Sequence, residues 1–239
     1  MSSERFNRQE ILGKIGMNGQ RKLLKSSVAI VGVGGLGSVA AELLCRAGVG
    51  KLILIDPDSV HESNLPRQFL YDSKDIGKRK VNAARSRLLA IWPDASVDAH
   101  AVFLDAKNIS LLAGADVILD GTDNLETRFL LAAYAKKHDR LFIYAGAVET
   151  RAMVFPCIPD EKMPSLDDVL GKKQTSDACG SVGIVNTASA LCASIQAALT
   201  LRWIVEGTLE PLIYSINAWD GSVQRIAIAK REGRQTRKP

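Results

Sequence analysis

Asp56, Asp58, Asn64, Arg67, Gln68, Lys80, Asp123 and Asn124 carry the chemistry that this 239-residue chain advertises. Each lies just beyond or close to the end of an apolar run, so an alternating α/β chain would bring them to one edge of a sheet. Two cations with several carboxylates and amides do not suit hydride transfer, which needs an adenosine acid and few charges around a nicotinamide. They suit a triphosphate and its magnesium, where cations offset phosphate charge and a single carboxylate shares the metal with phosphate oxygens.

A phosphate site needs a backbone that can approach an anion. The stretch Gly32-Val-Gly34-Gly35-Leu-Gly37 supplies one between the apolar run Val28–Val31 and a helix expected over Val39–Arg46. Glycines allow a tight turn and close approach, and the free N–H groups of the helix start face the anion. A second apolar run, Lys51–Ile55, leads to Asp56 about twenty residues after the glycines, where a carboxylate on a ribose is expected. Ala47-Gly-Val-Gly50 caps the helix between them, and the unit reads as a right-handed βαβ.

The other elements follow in alternation. Two short helices over residues 6–25 precede the sheet, a helix runs from Lys78 to Leu89, a strand lies near Ser96–Phe103 and a helix near Ala106–Ala113. Asp116–Asp120 is a strand that ends in Gly121-Thr-Asp-Asn124. A helix over Leu125–Lys137 and a strand over Leu141–Ala145 complete a parallel portion, which Arg151–Pro156 turns antiparallel. A polar crossover loop follows, over about 157–183. Then come a long apolar helix, Ile184–Trp203, and a hairpin of Leu212–Trp219 with Ser222–Ala229 around Asp220-Gly221. The expected fold is a single α/β domain over 1–239, Rossmann-like and nucleotide-binding, with a mostly parallel central sheet extended by antiparallel strands and helices on both faces.

Composition narrows the class. The chain is 46% hydrophobic, and before the tail no apolar run approaches the eighteen or so residues of a membrane span. No signal-like segment opens it, so no membrane is expected and the expected compartment is cytoplasmic. The net charge of +5 is concentrated in residues 230–239, where five cations face one acid. That pattern describes a flexible basic tail on a nearly neutral body, and nucleic acid is not an expected partner. Cys45, Cys157, Cys179 and Cys192 form no CxxC pair. Cys45 and Cys192 fall on apolar helices as packing residues, His61, His100 and His138 are isolated, and Trp203 and Trp219 read as core or dimer-interface residues.

The ordered series Arg8-Gln9, Gly32–Gly37, Ala47–Gly50, Asp56-Pro-Asp58, Ser63-Asn-Leu-Pro-Arg-Gln68, Gly77-Lys-Arg-Lys80 and Asp120-Gly-Thr-Asp-Asn124 with Arg128 resembles the motifs of the E1-like adenylating enzymes, the ThiF/MoeB/HesA group. The resemblance covers nearly the whole chain. It implies that ATP and magnesium convert a carboxylate to an acyl-adenylate with release of pyrophosphate, the carboxylate being the C-terminal glycine of a small ubiquitin-like sulfur-carrier protein. Arg67 and Lys80 would offset the charge of the approaching anions, Asp123 would hold magnesium and Asp58 would take the ribose hydroxyls. Arg8 would reach the triphosphate of a neighbouring subunit, which implies a homodimer. Cys179 aligns with the family's loop cysteine and is either a nucleophile for the activated acyl group or a small buried hydrophobe. Sulfur-carrier activators commonly bear two CxxC pairs for zinc, so zinc is not expected here. Other readings stay open: adenylation of a small-molecule carboxylate or a modified tRNA base, a non-catalytic E1-like subunit, or a dehydrogenase.

Overall fold

The computed structural model describes residues 4–171 and 182–228. Its centre is an eight-stranded sheet in the order β3-β2-β1-β4-β5-β6-β7-β8. Strands β1 (Ser27–Val31), β2 (Lys51–Ile55), β3 (Ser96–His100), β4 (Val117–Asp120) and β5 (Leu141–Val148) are parallel. Strands β6 (Arg151–Cys157), β7 (Leu212–Asn217) and β8 (Ser222–Ala227) add antiparallel pairings beyond β5. This is the expected α/β architecture.

Alternation along the buried strands shows why both faces must be covered. In β1, Val28 and Ile30 join one apolar cluster while Ala29 and Val31 join the other. In β2, Leu52 and Leu54 divide from Ile53 and Ile55 in the same way, so the strands read as continuous apolar runs. Helices α2 (Gly16–Lys25), α3 (Gly37–Ala47), α4 (Lys80–Ile91) and α7 (Asn186–Glu206) contribute to the first cluster, and α5 (Leu125–Lys137) and α6 (Leu166–Leu170) to the second. Short α1 (Asn7–Glu10) is tied down by its flanks. Phe6 packs edge-on against Trp92 at 5.4 Å, and Gln9 donates to Gln20 and to the Ala47 carbonyl.

Between β1 and β4 the chain order reverses, and there the backbones approach too closely for side chains. Gly32 has φ 84°, and a Cβ on it would collide with the Gly121 carbonyl. A Cβ on Gly37 would collide with the Gly32 carbonyl, which packs the start of α3 against the strand end. Gly48, with φ 86°, ends α3 in the left-handed cap expected from the sequence.

Three local expectations are corrected. The segment near Ala106–Ala113 is a 3₁₀ turn over Ile109–Leu112 and not an α-helix. Asp105 accepts from the N–H groups of Lys107 and Asn108, while Asn108 accepts from the N–H of Asp105; these local bonds compete with a helix. Strand β3 stops at His100 rather than near Phe103. The crossover segment contains α6, whose first turn has the Ser165–Asp168 capping box. Residues 172–181, with Cys179, and residues 229–239, with the end of the expected hairpin strand and the basic tail, lie outside the described residues.

Against the expectation that no apolar run approaches a membrane span, helix α7 is long and apolar enough to cross one by length and composition. It is instead a core helix, with Ala188, Cys192, Ala193, Ala197 and Leu199 buried. Its Gln196 amide donates to the carbonyls of Asp120 and Ile143, which fastens the helix beneath β4 and β5. Burial pushes the Cys45 thiol up to about 11 and the Cys192 thiol up to about 12, consistent with inert packing residues. Trp219, at the hairpin turn, is 80% exposed and takes no part in the core.

Candidate active site

A cleft of about 450 Å³ opens over the C-terminal ends of β1, β2 and β4. Its wall contains Gly32, Gly34, Gly35, Asp56, Asp58, Asn64, Arg67, Gln68, Lys80, Asp123 and Asn124. One site therefore gathers nearly all of the polar residues singled out in the sequence. Gly37 does not line it and acts through packing instead. Arg8 is exposed on α1 and does not line it either.

The two aspartates after β2 divide their work. Asp56 is buried and spends both carboxylate oxygens on backbone, accepting from Val33 at 2.7 Å and from Asp58 at 2.8 Å. It thereby ties the glycine turn to the β2 loop. Burial pushes its pKa above the usual carboxylate value, while Lys80 and the two N–H groups oppose the rise. Asp58 is open to the cleft, and one oxygen accepts from Lys80 Nζ at 2.8 Å. Lys80, the first residue of α4, is only 6% exposed, so Asp58 compensates an ammonium held away from bulk water.

The amides and Arg67 are set by local turns. Asn64 Oδ1 accepts from the His61 N–H, and Arg67 Nη1 donates to the Ser63 carbonyl. Gln68 is 3% exposed, and its Oε1 has no hydrogen-bond partner among the described residues. Tyr71 donates to the Val33 carbonyl at 2.8 Å, a further brace on the glycine loop.

On the opposite wall, Asp123 is exposed and makes no hydrogen bond or ion pair to another described residue. Its neighbours are fixed. Asn124 caps α5 by accepting from Thr127 at 2.8 Å, and Thr122 bonds to the Asp120 carboxylate through both its N–H and its hydroxyl. Asp120 is fully buried and pairs with Arg128 Nε at 3.0 Å, while Arg128 also donates to the Thr122 carbonyl and lies 5.2 Å from the Tyr144 ring centre. Burial pushes the Asp120 pKa up, against the pull of Arg128 and Thr122. Arg128→Ala is expected to cost about 3–5 kcal/mol, because it strands a buried carboxylate; urea denaturation would measure it. A loss under about 1 kcal/mol would show that Asp120 is stabilised without the guanidinium.

Some wall residues were not foreseen. Val102, Phe103 and Leu104, which leave the sheet after β3, form an apolar lip near Asp56 and Asp58. Gly146–Val148 of β5 and Ser189 of α7 close the far side. Phe103 carries a signal in the sequence, a large apolar residue on the ligand edge, but the apolar pattern of β3 runs on through it and masks the strand end at His100. Among the described residues no group of three or more His, Cys, Asp or Glu could hold a metal ion. A lone Asp123 still fits magnesium, which is commonly held by one or two carboxylates together with substrate phosphates.

Residues 6–236 match the ThiF family. The chain is 34% identical over 229 residues to the sulfur carrier protein ThiS adenylyltransferase of Bacillus subtilis, covering 94% of this chain and 68% of the relative. It is 32% identical over 239 residues to the sulfur carrier protein adenylyltransferase of Thermus thermophilus, covering 95% and 88%. Among solved structures, Escherichia coli MccB with ATP superposes with a TM-score of 0.83 over 97% of this chain and 74% of that one. Its 22% identity speaks to the fold alone. The chain belongs to the ThiF family, as an ATP-dependent adenylyltransferase.

Proposed function

We propose that the cleft activates the C-terminal glycine carboxylate of a small ubiquitin-like sulfur-carrier protein. The carrying observation is the convergence of Arg67, Lys80, Asp58 and Asp123 around the glycine loop in one cleft, in a chain whose Bacillus and Thermus relatives are named for sulfur carriers.

The chemistry asks little of a general base, because the attacking carboxylate is already ionised at neutral pH. One carboxylate oxygen forms a bond to the α-phosphorus of ATP, and the bond from that phosphorus to the oxygen bridging the β-phosphate breaks. Pyrophosphate leaves with the electron pair. The barrier is the crowding of one anion against another, so fixed cations are the main contribution. Lys80 is suited to it because its ammonium is largely dehydrated and already oriented by Asp58. Arg67, whose side chain lies beside Gly35, can donate to phosphate as well. The free oxygen of Asp58 can accept from a ribose hydroxyl, and the lip of Val102–Leu104 offers an apolar seat for the adenine. Asp123 would hold magnesium, which when bound supplies positive charge to the phosphates.

Two further assignments complete this reading. Cys179 would act after adenylation, its thiolate attacking the acyl carbon and releasing AMP. Arg8 would act from a partner copy. Its exposure outside the cleft and the exposed apolar residues Ile11, Leu12 and Met17 beside it support a subunit contact there. The long apolar helix α7 could add to such a contact through Leu191, its large exposed apolar residue.

Exchange of labelled pyrophosphate into ATP tests the proposal. Exchange should depend on an added carrier ending in Gly-Gly and vanish when its last glycine is removed. Exchange supported by a small carboxylate but by no carrier would transfer the reading to small-molecule adenylation.

A further inference from the structure

Helix α7 brings to the cleft a hydroxyl that its own fold leaves unused. Ser189, in the first turn of that 21-residue helix, is fully buried, and its Oγ has no hydrogen-bond partner among the described residues. Helical serines and threonines commonly return their hydroxyl to the carbonyl four residues back, and two neighbours on α7 do so: Ser194 to Ala190 and Thr200 to Gln196, both at 2.8 Å. Ser189 does not. Its side chain lines the cleft, with Oγ 3.3 Å from the place a Cβ on Gly35 would occupy; Arg67 Cγ lies 3.6 Å from that same place.

The surroundings identify the missing partner. Ser189 is near the positive end of a long helix, where N–H groups point outward and an anion is favoured. Asn186 Nδ2 donates to the Pro66 carbonyl at 3.1 Å, which fixes that end of α7 to the loop carrying Arg67. Leaving a buried hydroxyl unpaired is costly, so the free protein carries a penalty that a bound acceptor would remove.

We propose that Ser189 binds ATP directly, donating its O–H to a phosphate oxygen seated over Gly34 and Gly35 beside Arg67. This rests on the reading of the cleft as an ATP site. Ser189 would then make α7, which reaches the cleft from outside the βαβ unit, a second wall of the triphosphate seat.

Ser189→Ala tests it, since the substitution removes one oxygen and leaves packing otherwise intact. By calorimetry, affinity for ATP should fall about tenfold or more, as for loss of a hydrogen bond to a charged group, while adenosine affinity stays the same. The ligand-free variant should melt at or above the wild-type temperature, because an unpaired hydroxyl has gone. Unchanged ATP affinity, or a loss for adenosine as large as for ATP, would overturn the proposal. So would a lower melting temperature without ligand, which would mark a structural role. A change confined to the KM of the acyl substrate would assign the hydroxyl to that carboxylate and overturn the phosphate contact. Wild-type protein that fails to bind ATP would overturn the cleft reading itself, whereas ATP binding unaltered by Ser189→Ala would remove only this contact.

Discussion

Asp123→Ala protein is expected to lose ATP–pyrophosphate exchange by roughly a hundredfold to a thousandfold, the effect of several kcal/mol of lost charge stabilisation. Its melting temperature should stay close to that of the wild type. The separation follows from how the loop is held. Thr122 and Asn124 on either side are hydrogen-bonded, and Asp120 and Arg128 fix the loop from below. Asp123 itself is exposed and makes no bond that the fold requires. Removing its carboxylate therefore falls among surface changes, usually within about 0.5 kcal/mol for stability. Arg128→Ala should behave in the opposite way, with a large loss of stability from a residue only five positions on, in the first turn of α5. Asp123→Asn keeps the size and removes the charge, so it should match the alanine variant if charge is what counts. Exchange at the wild-type rate in either Asp123 variant would take the residue out of the reaction.

The parts of this site that could be read in the sequence are those in which position and chemistry lie close together along the chain. Gly32 to Gly37 must turn, approach and pack within six residues, and each requirement demands glycine or a helix start. Asp56, Asp58, Asp123 and Asn124 directly follow apolar runs, so the parallel sheet sends them all to one edge. Burial then decides which acid is structural. Asp56 and Asp120 look like Asp58 and Asp123 in the sequence, yet the first pair are buried with their carboxylates already bonded within the fold, whereas Asp58 and Asp123 are exposed in the cleft wall and keep carboxylate oxygens unspent. Contacts across the chain were not legible. Ser189 meets Gly35 only because α7 packs against α3 and the sheet, and nothing near residue 189 in sequence marks it as other than one small residue in an Ala-rich helix. The lip of Val102–Leu104 was hidden for a different reason. An apolar pattern continues past His100, but the chain leaves the sheet there, because the Asp105–Asn108 turn redirects it.

Mixing Arg8→Ala and Lys80→Ala proteins should restore activity that neither shows alone, provided the chain works as a two-fold dimer. Each single variant loses one cation that offsets triphosphate charge, and each should fall by about a hundredfold or more in exchange. In a heterodimer, the subunit carrying Arg8→Ala keeps its own Lys80 and receives Arg8 from its partner, so that site is complete. The other site lacks both residues. A purified heterodimer, isolated by two different affinity tags, should therefore reach about half the wild-type rate, and a freely exchanging equal mixture about a quarter. The contrast between the two positions makes this informative: Lys80 is buried against Asp58 in the cleft wall, whereas Arg8 is exposed on a helix that does not line it. Charging the apolar surface beside Arg8, by Ile11→Asp together with Leu12→Asp, should release monomers that share the Arg8→Ala defect although Arg8 is still present. An inactive but verified heterodimer would return Arg8 to its own subunit's site or remove it from catalysis, and active monomers would show that one chain builds the whole site.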